Sequence, residues 1–564
     1  MFQHLMDMKK ILLLLLPFSA FSQFTNELSI PTTIEGTTFA LTIDESTRQF
    51  FDGTITETIG FNGNFLGPTL IFNQGDDIEI SVQNDLDEPT TVHWHGMHVS
   101  PEDDGGPHTV IAAGTTWRPD FTVLDRATTF WYHPHLHEKT NEHVTKGAAG
   151  MIIIRSDDEA ALTLPRTYGE DDIPMIIQFK SFTANNQLDE RGDDTDFMVN
   201  GTLDPYVELP SQMVRLRLLN GSNERVLNIG FDDDRDFYQI GSDGGLLTAP
   251  VTMDRLRLST GERAEIVVDL SNDNGSTLKL MTYASEFGPG IPGGGGGMAQ
   301  GFDGQDTEFL EIRVGEQTSN PVTSLPTTLA THTPWEESEA DRERTITMEG
   351  NGPGNPFNLD NLLFDIDLVN ETVLLDDVEI WTITNNTNIG HPFHIHDVQF
   401  YILDRDGVSP PENEQGLKDV VFVEGGETVR FITKFEDFAD SEVPYMYHCH
   451  ILPHEDGGMM GQFIVVEEEE VLGLEEQRSK FRIYPNPVTD RIVRVLLPDS
   501  VDPSSEVGFK IHDLSGKEVA HFPSKICGPS NLKIIYLEDY KEGIYTLTTS
   551  VDGVQASSIR MILK

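Results

Sequence analysis

The chain has 564 residues, with 93 acidic against 38 basic side chains and a formal net charge of −55. That length holds three or four domains of ordinary size, and so acidic a balance argues against nucleic acid as a partner, because phosphate binding needs clustered Lys and Arg. Two cysteines, Cys449 and Cys527, are too few for a disulfide scaffold in a chain of this length.

The first stretch, MFQHLMDMKKILLLLLPFSAFSQ, has a basic patch at Lys9 and Lys10, an apolar run, then small residues at Ala20 and Ser22. It reads as a signal peptide over residues 1–22, cleaved after Ser22. The run is too short to cross a bilayer comfortably. Beyond it, helical periodicity is nearly absent. Runs such as TLIFNQGDDIEISVQN, MVRLRLLN, RAEIVVDLS and TVRFITKF are short, β-branched and often alternating, with Gly, Asn, Asp and Pro between them. This pattern predicts all-β sandwiches.

Three sandwich-sized blocks follow one another. The first covers 23–158 and closes with GAAGMIIIRS; the second covers 159–318 and closes with TEFLEIRVGE. After a Pro/Thr-rich linker at 319–339, the third covers 340–468 and closes with GMMGQFIVVEEEE. The first and third share a layout: a histidine pair in mid-block, then a second pair (WYHPHLH, YMYHCH) shortly before a Gly-rich final strand. This reads as an internal repeat whose first and last copies bear metal. The second block has no histidine and is expected to bind no metal itself. Its segment GPGIPGGGGGMAQGFDG (288–304) reads as a flexible loop. An acidic spacer at 469–477 leads to a last segment, 478–564, which reads as a small β-sandwich richer in Lys and Arg.

The chemistry concentrates in HCHILPHEDGGMM, residues 448–460. Alternate residues of a strand face opposite ways, so His448 and His450 share one side and Cys449 takes the other. One strand can then serve two metal sites back to back. Cys449, His454, an imidazole from elsewhere and a long axial Met459 would make the ligand set of blue copper. HWHG supplies His93 and His95, HPHLH supplies His133 and His135, and HPFHIH supplies His394 and His396 while leaving His391 for the Cys449 site. With His448 and His450 there are four i, i+2 pairs, eight imidazoles facing a common cluster. Zinc would accept these residue types, but eight histidines beside a Cys/His/Met set match a closed tetrahedral zinc site poorly. Met460 is expected to pack in the core.

Over about residues 30–468 the chain resembles the three-domain multicopper oxidases, most closely the bacterial copper-tolerance oxidases and the bilirubin-oxidase and spore-coat laccase branch. RLRLLNGSN and IGSDGGLLTAP carry a weaker likeness in the second block. The resemblance implies three cupredoxin-like Greek-key sandwiches and copper as the cofactor. It implies a type 1 copper on His391, Cys449, His454 and Met459. It implies a type 2 copper on His93 and His394, and a type 3 pair on His95, His133, His135, His396, His448 and His450. A reductant would be oxidised one electron at a time at the first site, and O₂ reduced to water at the cluster. Asp104, eleven residues after His93, and Glu455, directly after His454, match two family acids that help deliver protons. An axial Met459 implies a low-to-middle potential, suited to phenols with electron-rich rings or to Cu(I).

The enteric copper-tolerance type carries a Met-rich insert and an acid and methionine just before HPFHIH. Here Thr387 and Ile389 stand at those places, and MEGNGPGNPFNLDN has one methionine, Met348. The function expected is therefore a laccase-like oxidase, with a cuprous oxidase as the alternative. The alternative of another class is a non-enzymatic copper-storage or electron-transfer protein. The last segment resembles the C-terminal sorting domain of type IX secretion, through YPNPVTD, IHDLSGKEV, EGIYTL and the basic end RMILK. It implies secretion machinery as a partner, a secreted or cell-surface location reached through the periplasm, and no catalytic part for Cys527. A monomer is expected.

Overall fold

The computed structural model describes residues 24–190, 195–295, 301–352 and 354–467, and residues 481–564 with short gaps at 485, 487, 489–490, 499, 514–516, 527–530 and 538–539. The stretch expected to be a signal peptide, the acidic spacer and Cys527 lie outside the described residues.

The first and third blocks fold in the same way. In the first, the sheet that carries histidines runs Thr33–Glu35, Thr69–Asn73, Gly150–Arg155, Thr129–His133, His93–His95. In the third it runs Glu371–Leu374, Met460–Val466, Asp440–Cys449, His391–Ile395, Val420–Val423. In each the closing strand lies parallel to an early strand and antiparallel to a histidine strand. Two histidine strands then pair antiparallel, His133 opposite His93 in one and His394 opposite His448 in the other. A tyrosine faces a glycine of the closing strand in both, Tyr132 with Gly150 and Tyr447 with Gly461. This is the internal repeat read from the sequence.

Each histidine sheet packs on a partner sheet. Between them lie Phe39, Leu41, Phe72, Trp94 and Tyr132 in the first block, and Trp381, Phe393, Phe431, Tyr447 and Phe463 in the third. Alternation of apolar inward positions drives this two-layer closure. The middle sandwich has a six-stranded and a seven-stranded sheet around its own core of Ile, Leu, Val and Phe. The strand Asn26–Glu27 belongs to that middle sheet, pairing parallel with Pro205–Pro210. The last segment forms two smaller sheets, and its Arg494 reaches Asp365 of the third block at 3.3 Å.

Two local features differ from expectation. The Gly-rich stretch is not loose over its described first half: the Gly290 carbonyl accepts from Gly390 N–H at 2.8 Å, one residue from His391. Two short helices, Thr140–Thr145 and Leu452–Asp456, dock on each other where the sequence showed no helical period. At five or six residues they are too short to display one. The Asp456 carboxylate accepts from the backbone N–H groups of Thr140 and Asn141, at 3.1 and 2.9 Å, and so ties the third block to the first.

Candidate metal centres

The strand Asp440–Cys449 turns into the helix Leu452–Asp456 immediately after His450. The Cys449 N–H donates to the Met459 carbonyl at 3.0 Å, folding the turn back on itself. Alternation along the strand has the expected result. His448 and His450 face the first block, while Cys449 faces the core of the third.

On the core side, Cys449 Sγ lies 3.5 Å from His391 Nδ1 and 3.7 Å from His454 Nδ1. Met459 is fully buried in the same core as Cys449. His391 Nε2 donates to the buried Thr387 hydroxyl at 3.1 Å, so this imidazole is locked inward. His454 is the partly exposed member of the group. The ring of Phe357 covers both imidazoles, with centroids 4.8 Å from His391 and 4.5 Å from His454. Burial pushes the Cys449 thiol well above its ordinary range, so a thiolate there needs a compensating cation.

On the other side, eight imidazoles converge between the first and third blocks. His93 stacks on His396 and His95 on His394, each at 3.8 Å between centroids. The ring nitrogens gather in three groups: His93, His95 and His394; His95, His133 and His450; and His135, His396 and His448. Most of the outer nitrogens are satisfied; those of His135 and His450 have no hydrogen-bond partner among the described residues. His93 Nδ1 donates to the Asp104 carbonyl at 2.9 Å, His133 Nδ1 to the Pro134 carbonyl at 2.9 Å, and His394 Nδ1 to the Asp419 carbonyl at 2.8 Å. His396 Nδ1 donates to Asp104 Oδ2 at 2.9 Å, and His448 Nδ1 lies 3.2 Å from Glu455 Oε2.

The inner nitrogens are not satisfied by protein. His93 Nε2, His95 Nδ1, His133 Nε2, His394 Nε2 and both nitrogens of His450 are buried without a hydrogen-bond partner among the described residues. His448 Nε2 instead faces His135 Nε2 at 3.1 Å and His396 Nε2 at 3.4 Å. Buried orphan nitrogens are costly unless something binds them. Burial holds His95, His133, His394 and His396 well below the ordinary imidazole value, His135 and His450 at about 3, and His454 at about 4. Neutral, inward-facing imidazoles, most with their far nitrogens fixed by oxygen acceptors, are a donor set for soft or borderline transition metals.

Asp104 and Glu455 both reach this cage in buried positions. Asp104 touches His93 and His396. Glu455 Oε1 lies 3.4 Å from His135 Nδ1, opposite its contact with His448. The sequence reading missed Asp419, whose Oδ1 accepts from His95 Nε2 at 3.2 Å. A signal was present: KDVVFV places a charged pair at the head of a fully buried strand. It also missed Phe357, an ordinary aromatic whose partners are distant in sequence. Met348 is buried in the core of the third block.

Comparison with known proteins agrees with this geometry. Residues 42–159 and 336–469 match family models described as multicopper oxidase, and residues 482–564 match a secretion system C-terminal sorting domain. The multicopper oxidase mco of Staphylococcus haemolyticus is 34% identical over 461 residues, covering 79% of this chain and 93% of that protein. The cell division protein FtsP of Photorhabdus laumondii is 31% identical over 430 residues, 74% of this chain and 87% of that one. Among solved structures, the laccase-like multi-copper oxidase CueO of the lignin-degrading bacterium Ochrobactrum sp. superposes with a TM-score of 0.70 at 31% identity, over 78% of this chain and 100% of that one. The chain belongs to the multicopper oxidases, an oxidoreductase family built on cupredoxin-like sandwiches, and carries a secretion sorting domain at its C-terminal end. The family implies copper, and the histidine groups have the chemistry to hold it.

Proposed function

We propose that the protein is a laccase-like multicopper oxidase that oxidises phenolic or similar reductants and reduces O₂ to water. The observation that carries this reading is the set of buried orphan imidazole nitrogens lying directly behind a buried cysteine on one strand. In this reading His391, Cys449, His454 and Met459 would hold a type 1 copper, and His93 and His394 a type 2 copper. His95, His133 and His450, with His135, His396 and His448, would hold the type 3 pair. Copper bound there would supply one-electron transfer at Cys449 and four-electron reduction of O₂ in the cage.

The chain's own residues do the rest. The partly exposed His454 edge, beside Phe357, is where a reductant would approach, since His391 Nε2 is spent on Thr387. Cys449 shares peptide bonds with His448 and His450, which gives a covalent path from one side of the strand to the other. Asp104 orients His396 and, through its carbonyl, His93. Glu455 lies against His135 and His448. Both carboxylates are placed to pass protons inward to the reacting oxygen.

Support for phenols over Cu(I) comes from the entrance. The Thr387 hydroxyl is consumed within its own turn by Asn385, Ile389 and His391, and Met348 is in the core, so neither offers a Cu(I) donor beside His454. The Ochrobactrum relative is described as acting on lignin model compounds, which favours the same class. The sorting domain supports export by a type IX route to the cell surface or beyond, with passage through the periplasm. O₂ uptake by the copper-loaded protein, with a phenol and with Cu(I) as rival reductants, tests the proposal. Phenol-driven uptake that is lost in Cys449→Ser supports it, and uptake with Cu(I) alone makes the protein a cuprous oxidase. No uptake with either, despite blue colour, leaves electron transfer or storage, or a role like that named for FtsP.

A further inference from the structure

The middle sandwich has no histidine, yet one of its turns, residues 259–263, forms a wall of the cage. The Thr260 hydroxyl donates to the His450 carbonyl at 2.6 Å. Gly261 has φ +83°, and a Cβ there would sit 3.0 Å from the His450 ring, so bare backbone lies flat against the imidazole. Arg263 follows, fully buried. Its Nη1 and Nη2 donate to the two oxygens of Asp419, each at 2.6 Å. Its remaining N–H groups go to carbonyls, Nε to Thr129 at 3.2 Å, Nη1 to Gly261 at 3.2 Å and Nη2 to Asp243 at 3.0 Å. The guanidinium is thus held on every side by fixed oxygens.

The carboxylate it clamps stands beside two cage imidazoles. Asp419 Oδ1 accepts from His95 Nε2 at 3.2 Å and lies 3.7 Å from His394 Nδ1. Gly96, next to His95, has φ +83°, and a Cβ there would come within 2.2 Å of Asp419 Oδ2 and 2.7 Å of Arg263 Nη2. The ion pair occupies the place a side chain at Gly96 would take. His95 is also the odd imidazole. His93, His133 and His394 leave Nε2 free and spend Nδ1 on oxygen, whereas His95 spends Nε2 and leaves Nδ1 free. A reversed ring needs a fixed acceptor on its Nε2 side. A carboxylate held at one oxygen can still rotate, but one held by a guanidinium fork at both cannot.

We propose that Arg263 is a positioning residue for the cage: by clamping both Asp419 oxygens it sets which nitrogen His95 turns toward the metal. The middle sandwich therefore takes part in the metal centre without supplying a ligand. The proposal rests on the copper reading above.

The test uses the full chain loaded with copper and compares Arg263→Lys with Arg217→Lys. Arg217 belongs to the same sandwich and makes a similar buried set of bonds, to Asp172, Glu265 and the Thr129 hydroxyl, with no hydrogen bond to an imidazole among the described residues. Copper per chain, the paramagnetic type 2 signal, the blue absorption and the unfolding temperature of the copper-free protein are measured. Arg263→Lys should keep the blue absorption, weaken cage copper by about tenfold or more and alter the type 2 signal. Arg217→Lys should lower the unfolding temperature and leave copper content and signal as in the parent. The double variant Arg263→Met with Asp419→Asn leaves no unpaired buried ion. Read against Asp419→Asn alone, it should lose more at the cage than that single variant, and this difference decides the matter if Arg263→Lys does not fold. Parent-like cage copper and signal in the Arg263 variants overturn the proposal, as does the same spectral change in Arg217→Lys. A parent protein that takes up no cage copper instead overturns the copper reading itself.

Discussion

The Cys449 site and the histidine cage sit on opposite faces of one strand and are built in opposite ways. Every candidate donor of the first comes from residues 391–459 of a single sandwich, and its walls are that sandwich's own core. The cage takes four imidazoles from the first block and four from the third, and is backed by a turn of the second. His95 meets Asp419 across 324 residues, and His135 meets His448 across 313. One site is a property of a local fold. The other is a property of an assembled molecule, so each should fail in its own manner.

Removing the cysteine gives the largest expected effect. Cys449→Ser should abolish the blue absorption and cut turnover by roughly a thousandfold or more, while cage copper, counted per chain, stays bound. Loss of cage copper in that variant would mean the two sites are not separately built. Copper removal comes next. A ligand held at a thousand times its dissociation constant stabilises the folded state by about 4 kcal/mol. Because the cage joins two sandwiches, chelation should lower the unfolding temperature of Cys449→Ser nearly as much as that of the parent. An insensitive variant would place the stabilising copper at Cys449 instead.

Smaller effects follow from the carboxylates around the cage. Asp104→Asn and Glu455→Gln should each slow O₂ turnover by about 10–100-fold and leave the oxidised blue absorption intact. With reductant and O₂ both present, the blue colour should stay bleached, since re-oxidation is the slowed half. Colour that persists under those conditions would locate the defect at electron entry. The smallest effect is expected at the entrance. Phe357→Ala should change KM for bulky phenols by up to about tenfold without changing the type 2 signal. A changed signal would show that the ring supports the cage and not only the approach to His454.

What could be read from the chain divides along the same line. Four pairs at i, i+2 state their own geometry, because strand alternation alone puts both rings of a pair on one face. Cys449 between His448 and His450 likewise declares its opposite orientation. The all-β class followed from short alternating runs, and the repeat from matching order in the first and third blocks. Arg263 was not legible, and Asp419 was legible only as half of a charged pair ahead of the apolar run VVFV. Asp419 is one of 93 acidic residues and Arg263 one of 38 basic ones, and each acquires its role from partners in another block. The two short helices were invisible for a different reason, being too brief to show a period, although one of them carries His454 and Glu455.

The long separation between cage partners has a consequence for how the enzyme comes into being. Domains complete their folding in order as a chain emerges, so the first sandwich stands finished while its four imidazoles still have no counterparts. A polypeptide interrupted between the first sandwich and residue 391 would own half a cage and no cysteine. Chains that stop short of the third sandwich therefore lack both sets of donors in complete form, and the cage closes only once the last histidine pair has been made.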